Sequence, residues 1–276
     1  MSGVWARWAA WCARDEDARG QAWARVAVLV IAILQQLRVG TDGLVGLVYV
    51  PFEDGGLARQ VADTYVLDTL FGAHGGPIAW GVTLVAFTLA LLGVAPRWMM
   101  LLGALSWAQL GHLYSPGDRA IDRILRFALV ALALGAVPPL RGGPARVRTW
   151  PADLVRMQLV LVYMGAGFAK LGSTPEWLAP GALPPLYRAV SDPLSGGVDP
   201  VAAAAWMPLW ALAGRVTVVL ELVAPLLFTR WAPWWAVVGA GMHLGIAAFM
   251  DLGWFPWGML ALYPLLFQRW IARRPR

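Results

Sequence analysis

One lysine, Lys170, stands in the stretch MGAGFAKLGSTPEW (164–177), and the other 21 of the 22 Lys and Arg residues are arginine. The difference is chemical: a guanidinium keeps its charge, whereas a desolvated amine can lose its proton and serve as a base. Position alone gives Lys170 a competing reading of about equal weight. It lies a few residues from the end of an apolar run, so its four-carbon stem could carry the ammonium to the lipid headgroups. Further polar groups fall inside apolar runs, where each is costly and so a functional candidate. His112 closes one run in AQLGHLYSPGD, and Asp122, Arg123 and Arg126 open the next, with Asp122 and Arg126 four apart and able to pair on one helix face. Arg156, Gln158 and Tyr163 share the run of Lys170, Arg215 and Glu221 share another, and His243 sits in GAGMHLG.

Each candidate has a plainer reading. A histidine at a helix end is more often an interfacial hydrogen-bonding group than a catalyst, and Asp122, Arg123 and Arg126 read equally well as a network holding helices together. His243, between Gly241 and Gly245, reads as interhelical glue where small residues allow close packing. Glu221 has no assigned role. Other chemistries are set aside: His74, His112 and His243 lie on separate segments without a metal-ligand spacing, and the single cysteine, Cys12, makes neither a disulfide framework nor a thiolate metal cluster. No P-loop, dinucleotide glycine pattern or GxSxG occurs.

The elements that must position these groups are membrane helices. Hydrophobic residues make up 59% of the chain and charged ones 14%, with a mean hydropathy of +0.60; soluble domains carry about 25% charged residues. The net charge of +6 does not indicate nucleic acid, because the arginines cluster between apolar runs rather than along one basic face. A span needs roughly 20 apolar residues, which predicts an all-α, polytopic bundle of about eight spans. They lie near 24–37, 78–95, 98–114, 121–140, 154–171, 206–228, 233–250 and 252–271. Arg97, the group Arg141 to Arg156, Arg230 and the group Arg269 to Arg276 fall on alternate connections, while the others are acidic or mixed. Both termini are therefore expected in the cytoplasm. The domain reading is an interfacial or cytoplasmic segment at 1–22, a transmembrane domain at 23–271 and a basic tail at 272–276. Trp5, Trp8 and Trp11 recur at helical spacing and suit either a short helix in the headgroup layer or a frayed tail. A mixed-charge start without a small-residue cleavage site predicts that the N-terminus stays attached. In this topology His112, the Asp122 to Arg126 turn, Lys170, Arg215 and His243 fall in the outward half, and Glu221 lies deeper.

The pattern Arg156, Gln158, Tyr163, Gly167, Lys170, Leu171, Trp177, Gly181 resembles the active-site lysine region of vitamin K-dependent gamma-glutamyl carboxylases and their bacterial relatives, the HTTM family. GHLYSPGDRAIDRILRF resembles that family's histidine segment, and VVLELVAPLLF and GMHLGIAAF its later spans, with Glu221 and His243 at matching places. Gly111 and Ala169 stand where the carboxylases have asparagine and a second lysine, and the large extramembrane domain that holds their peptide substrate has no counterpart in the 276 residues.

The resemblance implies that Lys170 is the base acting on reduced vitamin K or another quinol, with His112 helping to hold the oxygenated intermediate or carbon dioxide. Tyr163, Arg126, His243 and Arg215 are implied around the cofactor, with Asp122, Arg123, Arg156, Gln158, Trp177 and Glu221 in support. Oxygen and carbon dioxide would be co-substrates, a peptide glutamate the acceptor, and no metal is called for. The expected partners are the bilayer, a lipid-soluble quinone entering from it, and a peptide substrate or soluble partner protein. The expected setting is the bacterial cytoplasmic membrane, with the site facing outward. The rival readings are a non-enzymatic partner, such as an immunity or maturation factor for a secreted peptide, and, third, a small transporter.

Overall fold

A computed structural model describes residues 2–50, 54–57, 71–113, 119–138, 146–173, 175–178, 184–192, 194 and 196–268. The chain forms two compact units, 1–155 and 156–276.

In the first unit, helix α1 (Ser2–Cys12) carries Trp5 and Trp8 edge to face, both exposed. The tryptophan spacing thus does make a helix. Strand β1 (Asp15–Asp17, DED) pairs antiparallel with β2 (Arg146–Arg148, RVR), which places acids opposite arginines and joins Arg148 to Asp15 at 3.2 Å. This ribbon is absent from the sequence reading, because three-residue strands joined across 130 residues have no local periodicity to show. Asp17 then caps helix α2 (Ala18–Thr41), its carboxylate accepting from the Arg19 backbone N–H at 2.9 Å. The cap makes α2 24 residues long, roughly 36 Å, so the first apolar helix starts six residues before the expected span and crosses the boundary drawn at residue 23.

The short helix α3 (Val45–Val48) leads to a buried Tyr49. Helices α4 (Gly75–Leu91) and α5 (Pro96–Leu113) pack closely: a Cβ on Gly103 would sit 2.4 Å from the buried Phe87 ring, and Ser106 donates to the Ala79 carbonyl at 2.8 Å. Helix α6 (Ala120–Leu134) follows, apolar and buried on the face of Ile121, Ile124, Leu125, Ala128 and Leu132.

Helix α7 (Trp150–Ser173) brings Arg156 and the residues after it into the second unit. The long connection after α7 contains, among the described residues, a 3-10 turn (Pro175–Trp177) and two short helices, α8 (Pro185–Val190) and α9 (Pro200–Ala204), and so is ordered as expected. Val190, Ala203 and Trp210 form a small core there, and Gly196 bridges to Met250. Helix α10 (Met207–Leu222) stops before Pro225 and continues as a 3-10 turn (Ala224–Phe228). Helix α11 (Ala232–Phe249) is followed by α12 (Phe255–Ala261) and a 3-10 turn (Tyr263–Leu265) containing Pro264. Proline removes a helical donor and clashes with the preceding turn; accordingly the sixth and eighth expected spans are each broken near a proline. Among the described residues, three helices are long and apolar enough to cross a membrane, Ala18–Thr41, Trp150–Gly172 and Ala232–Phe249, with Gly75–Leu91 a shorter apolar helix. The chain is helical and membrane-embedded in class.

Candidate functional site

Lys170 lies in the last turn of α7, and its Nζ donates to both oxygens of Glu221, at 2.6 Å to Oε1 and 2.8 Å to Oε2. The lysine side chain is 21% exposed and that of Glu221 7%, so the pair has one sheltered and one accessible side. The Trp177 ring faces the amine, with Nζ 5.3 Å from the ring centroid, a cation–π distance. Trp177 packs over α10 at Gly214, and Arg188 holds the neighbouring Glu176 in an ion pair.

This arrangement brings Glu221, expected to lie deeper in the bundle, into direct contact with Lys170. Glu221 is the penultimate residue of a helix that ends at Leu222, and it meets α7 where Gly167 lacks a side chain. A Cβ at Gly167 would sit 3.1 Å from Leu222 and 3.2 Å from the Glu221 Cβ. Gly167 and Lys170 are three apart and share a face, so the glycine brings the helices together where the lysine needs its partner. Lys170 is therefore neither a lone amine in a pocket nor a cation free among headgroups.

A second polar cluster lies on the same helix two turns earlier. Tyr163 Oη is 2.6 Å from His243 Nε2 and 3.0 Å from Tyr263 Oη. Trp235 packs edge-on to Tyr163, and Phe255 edge-on to His243. His243 is buried, and its Nδ1 has no hydrogen-bond partner among the described residues. The histidine is interhelical glue as expected, but the close approach is not at the glycines flanking it. Gly241 and Gly245 have open space where a Cβ would be, whereas a Cβ on Gly239 would lie 2.6 Å from Tyr263 Oη. Residue 239 shares the face of 243 by the i, i+4 rule, while 241 and 245 turn away. Tyr263 itself escaped the sequence reading; the signal available was a hydroxyl-bearing residue in the apolar run ALYPLL.

The remaining candidates belong to one unit or the other. Arg156 is buried and donates twice to the Leu265 carbonyl, at 3.2 and 2.8 Å, tying α7 to the proline-broken segment. The Oε1 of Gln158 is buried without a partner among the described residues, and Arg215 is exposed on α10. In the first unit, His112 is exposed at the end of α5. Asp122 is buried and accepts from Gln35 Nε2 and from the Arg119 backbone N–H. Arg126 donates to the Trp107 carbonyl at 3.1 Å and stacks over its ring, and Arg123 is exposed. Residues 114–118 of the histidine segment, Gly181 of the lysine pattern and the tail 272–276 lie outside the described residues. Gln35 belongs in the sequence to the polar QQLR flank, which gives no hint that it faces Asp122.

Residues 136–270 match the model of the HTTM domain family. No curated protein and no solved structure matches the chain.

Proposed function

We propose that this chain, which carries an HTTM domain, the domain found in vitamin K-dependent carboxylase and related proteins, is an integral membrane enzyme. In it Lys170 takes a proton from a reduced quinone to drive carboxylation or a related modification of a peptide. The observation that supports this best is the contact of the chain's one lysine amine with both oxygens of a buried carboxylate. That pair, neutral overall, already shares one transferable proton. When the shared proton rests on Glu221, Nζ is free to accept another, and the ammonium that results is held by the same carboxyl group. Arginine could form the contact but could not exchange the proton.

A hydroxylated aromatic ring fits this surface, because Trp177 offers a face beside the amine and the partly exposed side of the lysine offers an acceptor for a ring hydroxyl. When bound, a reduced quinone with oxygen supplies the strong base that removal of a glutamate side-chain proton requires, and carbon dioxide supplies the new carboxyl group. The protein's own part is to accept the first proton at Nζ, hold it against Glu221 and keep Trp177 over the pair. Tyr163, two turns before Lys170 on α7, and its partner His243 form a buried tie between helices; their cofactor roles, like those of Arg126, Arg215 and His112, rest on the resemblance alone. The proposed setting is an eight-span chain with cytoplasmic termini, in a bacterial cytoplasmic membrane, with the Lys170 site facing outward.

The experiment is to supply the purified protein with reduced vitamin K and oxygen and to measure epoxide. Wild type should form it and Lys170→Ala should not; undiminished formation by Lys170→Ala discards the assignment. Failure of both proteins to form epoxide favours the non-enzymatic partner, for which the ion pair is a structural tie.

A further inference from the structure

Arg25 is buried to 6% exposure in α2, in a helix long and apolar enough to cross a membrane. Among the described residues nothing hydrogen-bonds or ion-pairs with it, and its Nε is shielded from solvent. A guanidinium cannot shed its charge at any ordinary pH, so one that is largely buried, with only its terminal nitrogens accessible, must find an anion or bear a desolvation cost.

The acids near this end of α2 are already engaged. Asp15 pairs with Arg148 at 3.2 Å, Asp17 with Arg19 at 3.0 Å and Asp153 with Arg14 at 2.8 Å, while Glu16 accepts from Gln21 Nε2 at 2.9 Å. One turn before Arg25, on the same face, Gln21 is also buried; its Nε2 is used twice, on Glu16 and on the Arg148 carbonyl at 2.7 Å, but its Oε1 has no partner among the described residues. Side chains on a helix lean toward its N-terminus, which carries Arg25 toward Gln21 and the ribbon. The two unmet groups are a charged donor and a neutral acceptor four residues apart. A water could join them but could not balance the charge. An anion bearing a hydroxyl satisfies both: its oxygens accept from the guanidinium, whose planar fork matches a phosphate, and its hydroxyl donates to Oε1.

We propose that Arg25 and Gln21 form a binding site for a hydroxyl-bearing phosphate, as an anionic lipid headgroup or as the free ion. The site belongs to the first unit, and the proposal does not rest on the proposed activity.

The test uses the full chain in neutral detergent, with native mass spectrometry and thermal unfolding in the presence of phosphatidylglycerol, phosphatidylcholine or inorganic phosphate. Phosphatidylglycerol, which has both net charge and hydroxyls, should stay bound and raise the melting temperature, and phosphatidylcholine should do neither. Arg25→Gln should weaken the phosphatidylglycerol effect about tenfold or more, while melting no lower than wild type in phosphatidylcholine, because an unpaired buried charge has been removed. Gln21→Leu should weaken it less. If inorganic phosphate reproduces the shift in wild type but not in Arg25→Gln, the site stands and its occupant is the soluble ion. The proposal is overturned if wild type shows no preference for phosphatidylglycerol and no response to phosphate, or if a preference survives Arg25→Gln undiminished. Should Arg25→Gln fail to fold, the wild-type comparison together with Gln21→Leu decides.

Discussion

Lys170 and Glu221 depend on one another, and removing one leaves the other exposed to the cost of a solitary charge. Lys170→Ala strands a nearly buried carboxylate, so its melting should reveal a loss of about 3 kcal/mol; the doubly substituted Lys170→Ala/Glu221→Ala should recover part of that. A double variant no more stable than the single one would mean that the pair is not coupled. Tyr163 carries a comparable dependence, with its hydroxyl serving both His243 and Tyr263. Tyr163→Phe leaves two buried polar groups short of a partner and should cost about 1–3 kcal/mol in thermal or denaturant unfolding. The individuality of Lys170 is legible from its being the one lysine in an arginine-rich chain. Its partner is not, because the meeting of Lys170 with Glu221 is fixed by where α10 stops and by the missing side chain of Gly167, both of which are tertiary facts. Arg25 is hidden differently: the mixed-charge segment before it makes it look like a flank, and only the cap at Asp17 places it well inside a helix.

Helices owe their contacts here to a few small residues. Gly103 abuts the Phe87 ring so closely that Gly103→Ala forces α4 and α5 apart, at about 1–3 kcal/mol, readable as earlier unfolding of the first unit. Gly239→Ala would push on the Tyr263 hydroxyl and break the Tyr163 cluster, which a loss of tyrosine and tryptophan near-UV signal would report. Between α3 and α4, outside the expected spans, burial pushes Tyr49 up to about 12, with the negative charge of Asp122 adding to the shift. Its folded value lies above the ordinary value near 10, so the stability it contributes is complete below about pH 10 and falls away as pH rises toward 12. Alkaline unfolding should therefore steepen over that window in wild type and be flatter in Tyr49→Phe; identical curves would show that Tyr49 does not drive it. Apolar periodicity marks nearly every long helix. It could not mark the proline breaks as ends, since a proline inside an apolar run is compatible with a kinked span as well as with a stop, and the β1–β2 ribbon lies below its reach altogether.

Across the whole chain, the alternation of arginine-rich and acidic connections is the sequence feature that predicts eight spans with both termini in the cytoplasm. The single cysteine makes that orientation measurable. Cys12 closes α1 and is partly exposed, so a membrane-impermeant maleimide should label it in inside-out vesicles and leave it unlabelled in intact spheroplasts. Labelling in spheroplasts would contradict that orientation. The activity itself is best tested with a substitution that keeps charge and contact while abolishing proton exchange. Lys170→Arg, purified beside wild type and given reduced vitamin K and oxygen, should fold with near wild-type stability yet form epoxide at least about a hundredfold more slowly. Epoxide formation by Lys170→Arg at the wild-type rate would refute the proton-transfer role, since Lys170 would then be supplying only a positive charge.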